Sequence, residues 1–188
     1  MTRIVAGVAK GRRLAVPTRG TRPTSDRVRE ALFSAVAARM DLEGARVLDL
    51  YAGSGALGLE ALSRGAQEVL LVESDARAAA VAKANALSIG LPGCSVRCLS
   101  VSAALGAWPE LPYHLVLVDP PYALEDDAMT RELRALVDGG WVEDGSLVVV
   151  ERSARGPATS WPPELACEVV RRYGAARVEI ATCYRRRP

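Results

Sequence analysis

Asp119-Pro120-Pro121-Tyr122 is the stretch whose residue types and order are best suited to chemistry. It follows the apolar run Leu115-Val116-Leu117-Val118, which reads as a buried strand. Two prolines cannot extend that strand, because each has a fixed φ and lacks a ladder donor. The chain therefore stops abruptly, leaving a carboxylate, the Pro120 carbonyl and an aromatic ring together at a strand end, where open α/β sheets bind ligands. The second candidate is Gly53-x-Gly55-x-x-Gly58, which follows a strand and opens a helix. Glycines there let the backbone approach a nucleotide closely. Glu73, twenty residues after Gly53, closes the next strand and can accept hydrogen bonds from ribose hydroxyls.

This pattern alone fits NAD as well as S-adenosylmethionine. Asp49, inside the strand before the glycine loop, favours the latter, since a carboxylate can organise the loop and offset a cationic ligand, whereas a pyrophosphate gains nothing from it. Asp119-Pro120-Pro121-Tyr122, which has no role in hydride transfer, points the same way.

The elements that must position these groups alternate. Strands are expected at 45–51, 69–72, 95–99, 114–118 and 146–150, with helices after the glycine loop to Ser63 and at 75–89, 102–107 and 125–138. Alternation gives right-handed crossovers and a parallel sheet covered on both faces. Cys167 to Tyr173 and Ala176 to Tyr184 read as two further strands, too close for a crossover, so they form an antiparallel edge hairpin around Gly174. The expected fold class is α/β: a Rossmann-like, seven-stranded, mostly parallel sheet with an antiparallel carboxyl-terminal hairpin. A small amino-terminal β-hairpin precedes it, formed by residues 2–19 and turning at Ala9-Lys10-Gly11. Arg22-Pro23-Thr24-Ser25-Asp26 reads as a linker that caps a helix with Val28, Ala31, Leu32, Ala35 and Val36 on its apolar stripe. Arg27 and Glu30 fall off that stripe.

Charge is lopsided. The chain of 188 residues carries a net +2, yet residues 1–29 hold eight basic side chains against the single acid Asp26. The rest is therefore net −5. A basic arm on a mildly acidic body suggests a polyanionic partner. Cys94, Cys98, Cys167 and Cys183 show no paired metal spacing and read as reduced thiols of a cytoplasmic protein. A lone histidine, His114, leaves little material for a Ser-His-Asp or histidine–metal mechanism. The opening residues contain no apolar run long enough for a signal peptide or membrane span.

The loop Asp49-x-Tyr51-Ala52-Gly53-Ser54-Gly55-Ala56-Leu57-Gly58, together with Asp119-Pro120-Pro121-Tyr122, resembles the S-adenosylmethionine-dependent amino-methyltransferases. More narrowly, Arg3-Ile4-Val5-Ala6-Gly7, Gly11-Arg12, Arg22-Pro23-Thr24-x-Asp26-Arg27-Val28-Arg29-Glu30-Ala31-Leu32-Phe33, Leu59 to Ala66 and Gly140-Trp141 resemble the bacterial 16S rRNA guanine-N2 methyltransferases of the small ribosomal subunit. The resemblance implies a class I methyltransferase domain over 23–188 and an RNA-binding hairpin over 1–22. It implies S-adenosylmethionine as cofactor, no metal, and 16S rRNA as partner within a partly or fully assembled 30S subunit, with no membrane and no obligate protein partner. Asp49, Gly53, Gly55, Gly58 and Glu73 would hold the cofactor. Ser100 stands where the family usually has Asp or Asn against the adenine amino group. Asp119 and the Pro120 carbonyl would accept from the guanine amino group, and Tyr122, beside Pro121, would stack on the base. Arg3, Lys10, Arg12, Arg13, Arg27 and Arg29 would grip phosphates, with Arg185, Arg186 and Arg187 adding to the grip. Asp119 counts against a protein-glutamine acceptor, whose enzymes carry Asn there. The short chain leaves no room for the target-recognition segment of a DNA-adenine methylase. An inactive nucleic-acid-binding module is the remaining alternative.

Overall fold

A computed structural model describes residues 2–17 and 25–185. Arg22, Pro23, Thr24, Arg186 and Arg187 lie outside the described residues. The elements are β1 (Thr2–Arg3), β2 (Arg13–Leu14), α1 (Asp26–Ala37), β3 (Arg46–Leu50), α2 (Ala56–Ser63), β4 (Glu68–Glu73), α3 (Ala76–Ile89), β5 (Cys94–Cys98), α4 (Val101–Leu105), β6 (Leu115–Val118), α5 (Asp126–Asp138), β7 (Leu147–Ser153), β8 (Leu165–Tyr173) and β9 (Ala176–Cys183). The main sheet has seven strands in the order β5-β4-β3-β6-β7-β9-β8. Its first five strands are mutually parallel, and β9 runs antiparallel between β7 and β8. Strand order reverses direction between β3 and β6, so a crevice opens at their carboxyl ends.

Period-2 alternation assigns the faces. Val47, Val69, Leu71, Leu115, Leu117 and Val149 pack beneath α1, α2 and α3. Leu48, Leu50, Leu70, Val72, Val116, Val148 and Val150 pack beneath α4 and α5. Strands buried on both faces have no polar alternation to show, which is why they read as continuous apolar runs. Asp49 is the exception, a carboxylate on the α2 face of β3.

The amino-terminal hairpin is shorter than its sequence suggests. β1 and β2 have two residues each, with Thr2 opposite Leu14, and the chain between them turns on itself. It is held by α2 rather than by its own ladder. In that helix every residue from Leu57 to Ser63 is buried, because the sheet covers one side and the arm the other. The fully buried Glu60 carboxylate accepts from the Val5 and Ala6 backbone N–H groups at 2.7 and 2.9 Å. Arg64 donates to Glu60 at 2.8 Å, and Arg29 Nε lies 3.5 Å from it. Ser63 Oγ accepts from Ala9 N–H and donates to the Ala6 carbonyl. Arg12 donates to the Ser88 and Ile89 carbonyls at the end of α3.

Removing one partner of a buried ion network leaves the others unpaired, at a cost of about 3–5 kcal/mol. Glu60→Ala should therefore lower the unfolding free energy measured in urea by that order and expose residues 2–14 to limited proteolysis before the sheet unfolds. Unchanged cleavage kinetics of the arm would contradict the latch.

Candidate active site

The crevice is a cavity of about 770 Å³ above the carboxyl ends of β3, β4, β6 and β7. The turn joining β8 to β9 and the start of α1 close it from two sides. On one side stands the glycine loop. Gly55 takes φ +79° as the amino-terminal cap of α2, and a Cβ there would approach Leu71 Cδ1 to 2.8 Å. A Cβ on Gly58 would come within 2.3 Å of Leu71 Cδ2 and 3.1 Å of Asp49 Oδ2. Neither glycine lines the cavity. They let α2 settle onto β3 and β4, so that Gly58 N–H reaches Asp49 Oδ2 at 2.8 Å. The other Asp49 oxygen, Oδ1, is buried and has no hydrogen-bond partner. Burial, and secondarily the nearby Glu73 charge, push the Asp49 carboxyl up to about 7 against the opposing Gly58 hydrogen bond.

Glu73 ties two loops together. Its Oε2 accepts from Gly53 N–H and its Oε1 from Asp75 N–H, each at 2.8 Å. The remaining lone pairs of both oxygens suit the hydroxyl pair of a ribose. Asp75 also lines the cavity, and its side chain caps α3 by accepting from Ala78 N–H. Tyr51, between β3 and the loop, adopts φ +65°, an uncommon conformation for a bulky side chain. Its hydroxyl donates to Glu132 on α5 at 2.7 Å, which fixes the entry to the glycine loop from the opposite face of the sheet.

On the other side, the β3–β6 pairing sets Val118 against Leu50, so Asp119 emerges beside the glycine loop. The turn after it is closed by Leu124 N–H donating to the Pro121 carbonyl. Arg152 holds this turn from β7, donating to the Leu124 carbonyl and to Asp126. Asp119, Pro120, Pro121 and Tyr122 all line the cavity, with Tyr122 at its rim, 43% exposed.

The structure thus brings Asp49, Gly53, Glu73 and Asp119 to Tyr122 together around one space. Gly55 and Gly58 stand behind the loop as described, and two further expected residues are used differently. Ser100 does not line the cavity; its hydroxyl accepts from Ala103 N–H and caps α4, a common use of a serine between a strand and a helix. Arg29, expected among the phosphate-gripping cations, is 1% exposed and engaged with Asp26, the Arg3 carbonyl and Glu60. Arg3, Lys10, Arg12, Arg13 and Arg27 are at the surface, although Arg3 pairs with Asp26 and Arg12 is committed to α3 as described.

Sequence reasoning missed Asp75, Glu151, Asn85 and the Tyr173–Ala176 turn. Glu151 and Asp75 carried a signal, since each is an acid on the carboxyl-terminal side of an apolar strand run. Asn85 carried none. It is buried on α3, exchanges hydrogen bonds with both backbone groups of Ala15, and donates to the Ser54 carbonyl of the glycine loop. One amide thereby ties the arm to the loop.

The sheet and crevice define a Rossmann-like methyltransferase fold. A family model described as "Conserved hypothetical protein 95" matches residues 2–182, and the chain belongs to that family. The chain is 40% identical over 150 residues to "Ribosomal RNA small subunit methyltransferase D" of Escherichia coli (strain K12), covering 79% of this chain and 73% of that protein. It is 33% identical over 183 residues to YlbH of Bacillus subtilis (strain 168), covering 95% and 97%. The solved structure of yhhF from Escherichia coli superposes with a TM-score of 0.86 at 30% identity, covering 98% of this chain and 99% of that one. The family resemblance carried by the amino-terminal block and the two strand-end motifs therefore holds.

The position of Asp49 has a consequence for stability. In the unfolded chain its carboxyl titrates near 4, and in the ligand-free fold near 7. Its ionisation therefore favours unfolding, and stability falls as pH rises from about 4 to about 7, by a few kcal/mol. The isosteric Asp49→Asn lacks this term. Between pH 5 and pH 7.5, ligand-free wild type should lose more unfolding free energy in urea than the variant. Parallel profiles would show that the Asp49 carboxyl is not raised.

Proposed function

We propose that this chain transfers a methyl group from S-adenosylmethionine to the exocyclic N2 amino group of a guanine in 16S rRNA of the small ribosomal subunit. The observation that carries this reading is the acidic lining of the cavity. Asp49, Glu73, Asp75, Asp119 and Glu151 all face it, and Arg29, the cation among its lining residues, is neutralised by Asp26 and Glu60. A dinucleotide pyrophosphate would meet carboxylates there, whereas a sulfonium cofactor and an amino-bearing base are matched to them. The partnerless Asp49 Oδ1 beneath the glycine loop supplies the countercharge. Relatives named as small-subunit rRNA methyltransferases support RNA as the acceptor.

S-adenosylmethionine supplies an electrophilic methyl group. Glu73 holds the ribose and Asp49 the positive charge. The guanine amino group is a poor nucleophile because its lone pair is delocalised into the ring. Hydrogen bonds accepted from it by the Asp119 carboxylate and the Pro120 carbonyl favour a tetrahedral nitrogen, and so act chiefly in the transition state. Tyr122 at the rim stacks on the extruded base, a contact that contributes about 1–3 kcal/mol in single-stranded nucleic-acid complexes. After transfer the amino nitrogen is cationic, and its proton passes to Asp119 or to water. The phosphate backbone remains outside the acidic cavity, on the basic arm of residues 1–22, where Lys10 and Arg13 are exposed. Residues 23–188 carry the cofactor and the chemistry.

The test is transfer of labelled methyl from S-adenosylmethionine to undermethylated 30S particles and to free 16S rRNA, followed by nucleoside analysis. Label should appear as N2-methylguanosine. Asp119→Ala should reduce the rate by at least about a hundredfold while cofactor affinity stays within about threefold. Label in another nucleoside or in protein, or full turnover by the variant, would overturn the assignment.

A further inference from the structure

Resting on the proposed guanine-N2 reading, we infer that Glu151 selects the base: its carboxylate accepts the N1–H of guanine while Asp119 takes the adjacent amino group. β6 and β7 are parallel neighbours paired Val118 to Val150, so Asp119, just past the end of β6, and Glu151, still inside β7 and paired with Val178 of β9, follow at the same level. Neighbouring strands lie about 4.8 Å apart, so the two acidic residues branch from adjacent stretches of backbone. Both line the cavity, and Glu151 is 7% exposed.

The direction of the side chain follows from the strand. Val148 and Val150 face α5, whereas Val149 faces the α1–α3 side. Glu151 follows Val149 onto that side, the face that also carries Asp49 on β3. Arg152 turns to the opposite face and fixes the Leu124–Asp126 turn. The glycine loop, Glu73 and Asp75 occupy the β3–β4 end of the crevice. Glu151 therefore stands at the far end, one strand beyond Asp119, on the acceptor side.

Base chemistry makes this second acceptor discriminating. Adenine, cytosine and guanine all carry an exocyclic amino group. Beside that group adenine offers the N1 lone pair and cytosine the N3 lone pair. Guanine alone offers a donor, N1–H. Two adjacent carboxylates thus match guanine with donors in both places. With adenine or cytosine the inner carboxylate would face a lone pair in a desolvated site, an arrangement that polar pockets reject strongly. Asp119 alone would accept any of the three amino groups. Glu151 supplies the distinction and is a specificity-determining residue.

The experiment uses the full chain and small-subunit particles, with the modified guanosine first located by the wild-type reaction and then replaced by adenosine in the rRNA. Wild type should methylate the guanosine particles and leave the adenosine particles unmodified. Glu151→Gln keeps size and shape, but its amide N–H can donate to adenine N1. It should lower kcat/KM on guanosine particles by about 10- to 100-fold and yield N6-methyladenosine on adenosine particles, with cofactor affinity unchanged. Glu151→Asp, which keeps the charge, should retain guanosine preference at a reduced rate. A guanosine-to-adenosine ratio unaltered in Glu151→Gln, or wild-type methylation of the adenosine particles, would overturn the inference. A failure of wild type to form N2-methylguanosine at all would instead remove the reading on which it rests.

Discussion

A carboxylate buried beneath a glycine loop is the constraint on which the rest of this structure depends. Asp49 lies inside a hydrophobic layer, where an unpaired charge is costly. One oxygen is satisfied by Gly58 N–H, and that bond exists only because the helix bearing Gly58 lies on the sheet with no Cβ in between. The same packing sets the start of α2, the left-handed turn at Gly55 and the position of the Gly53 N–H, which Glu73 then fastens to the neighbouring loop. Glycine loop, helix and two strand ends thus form one mechanical unit. The cost of burying Asp49 is concentrated at its second oxygen, Oδ1, which is buried and has no hydrogen-bond partner.

The opposite face of α2 connects this unit to the arm. Glu60 and Ser63 satisfy backbone N–H groups of residues 5–9, and Asn85 bridges Ala15 to Ser54. A hairpin with two-residue strands would not persist alone; here it is held by side chains of the body. The basic arm is therefore positioned by the same helix that shapes the glycine loop.

Much of this was legible in the chain. Apolar runs ending at acids gave the parallel strands, because both faces of that sheet are buried. The adjacent prolines fixed the end of β6 regardless of tertiary context, since their φ and missing N–H are local properties. Spacing alone set the β8–β9 hairpin. The illegible parts are those in which a polar side chain is used by a distant partner. Arg29 looked like one more cation of a basic arm, but its neighbours in space are Glu60 and the Arg3 carbonyl. Ser100 occupied a recognisable position, yet its hydroxyl is used by a local cap. Tyr51 and Glu132 are 81 residues apart, and nothing in either segment announces the other.

The central claim is that Asp49 is the countercharge for a sulfonium cofactor. Isothermal titration with S-adenosylmethionine and with S-adenosylhomocysteine, across pH and in buffers of different ionisation enthalpy, tests it directly. Below about pH 7 the ligand-free carboxyl holds its proton. A cation bound beside it should expel that proton, so S-adenosylmethionine should release close to one proton near pH 6 and bind more tightly as pH rises to about 7. S-adenosylhomocysteine, which lacks the sulfonium charge, should release far less, and Asp49→Asn should abolish the difference between the two. Equal proton release by both ligands, or an affinity for S-adenosylmethionine indifferent to pH and to Asp49→Asn, would contradict the claim.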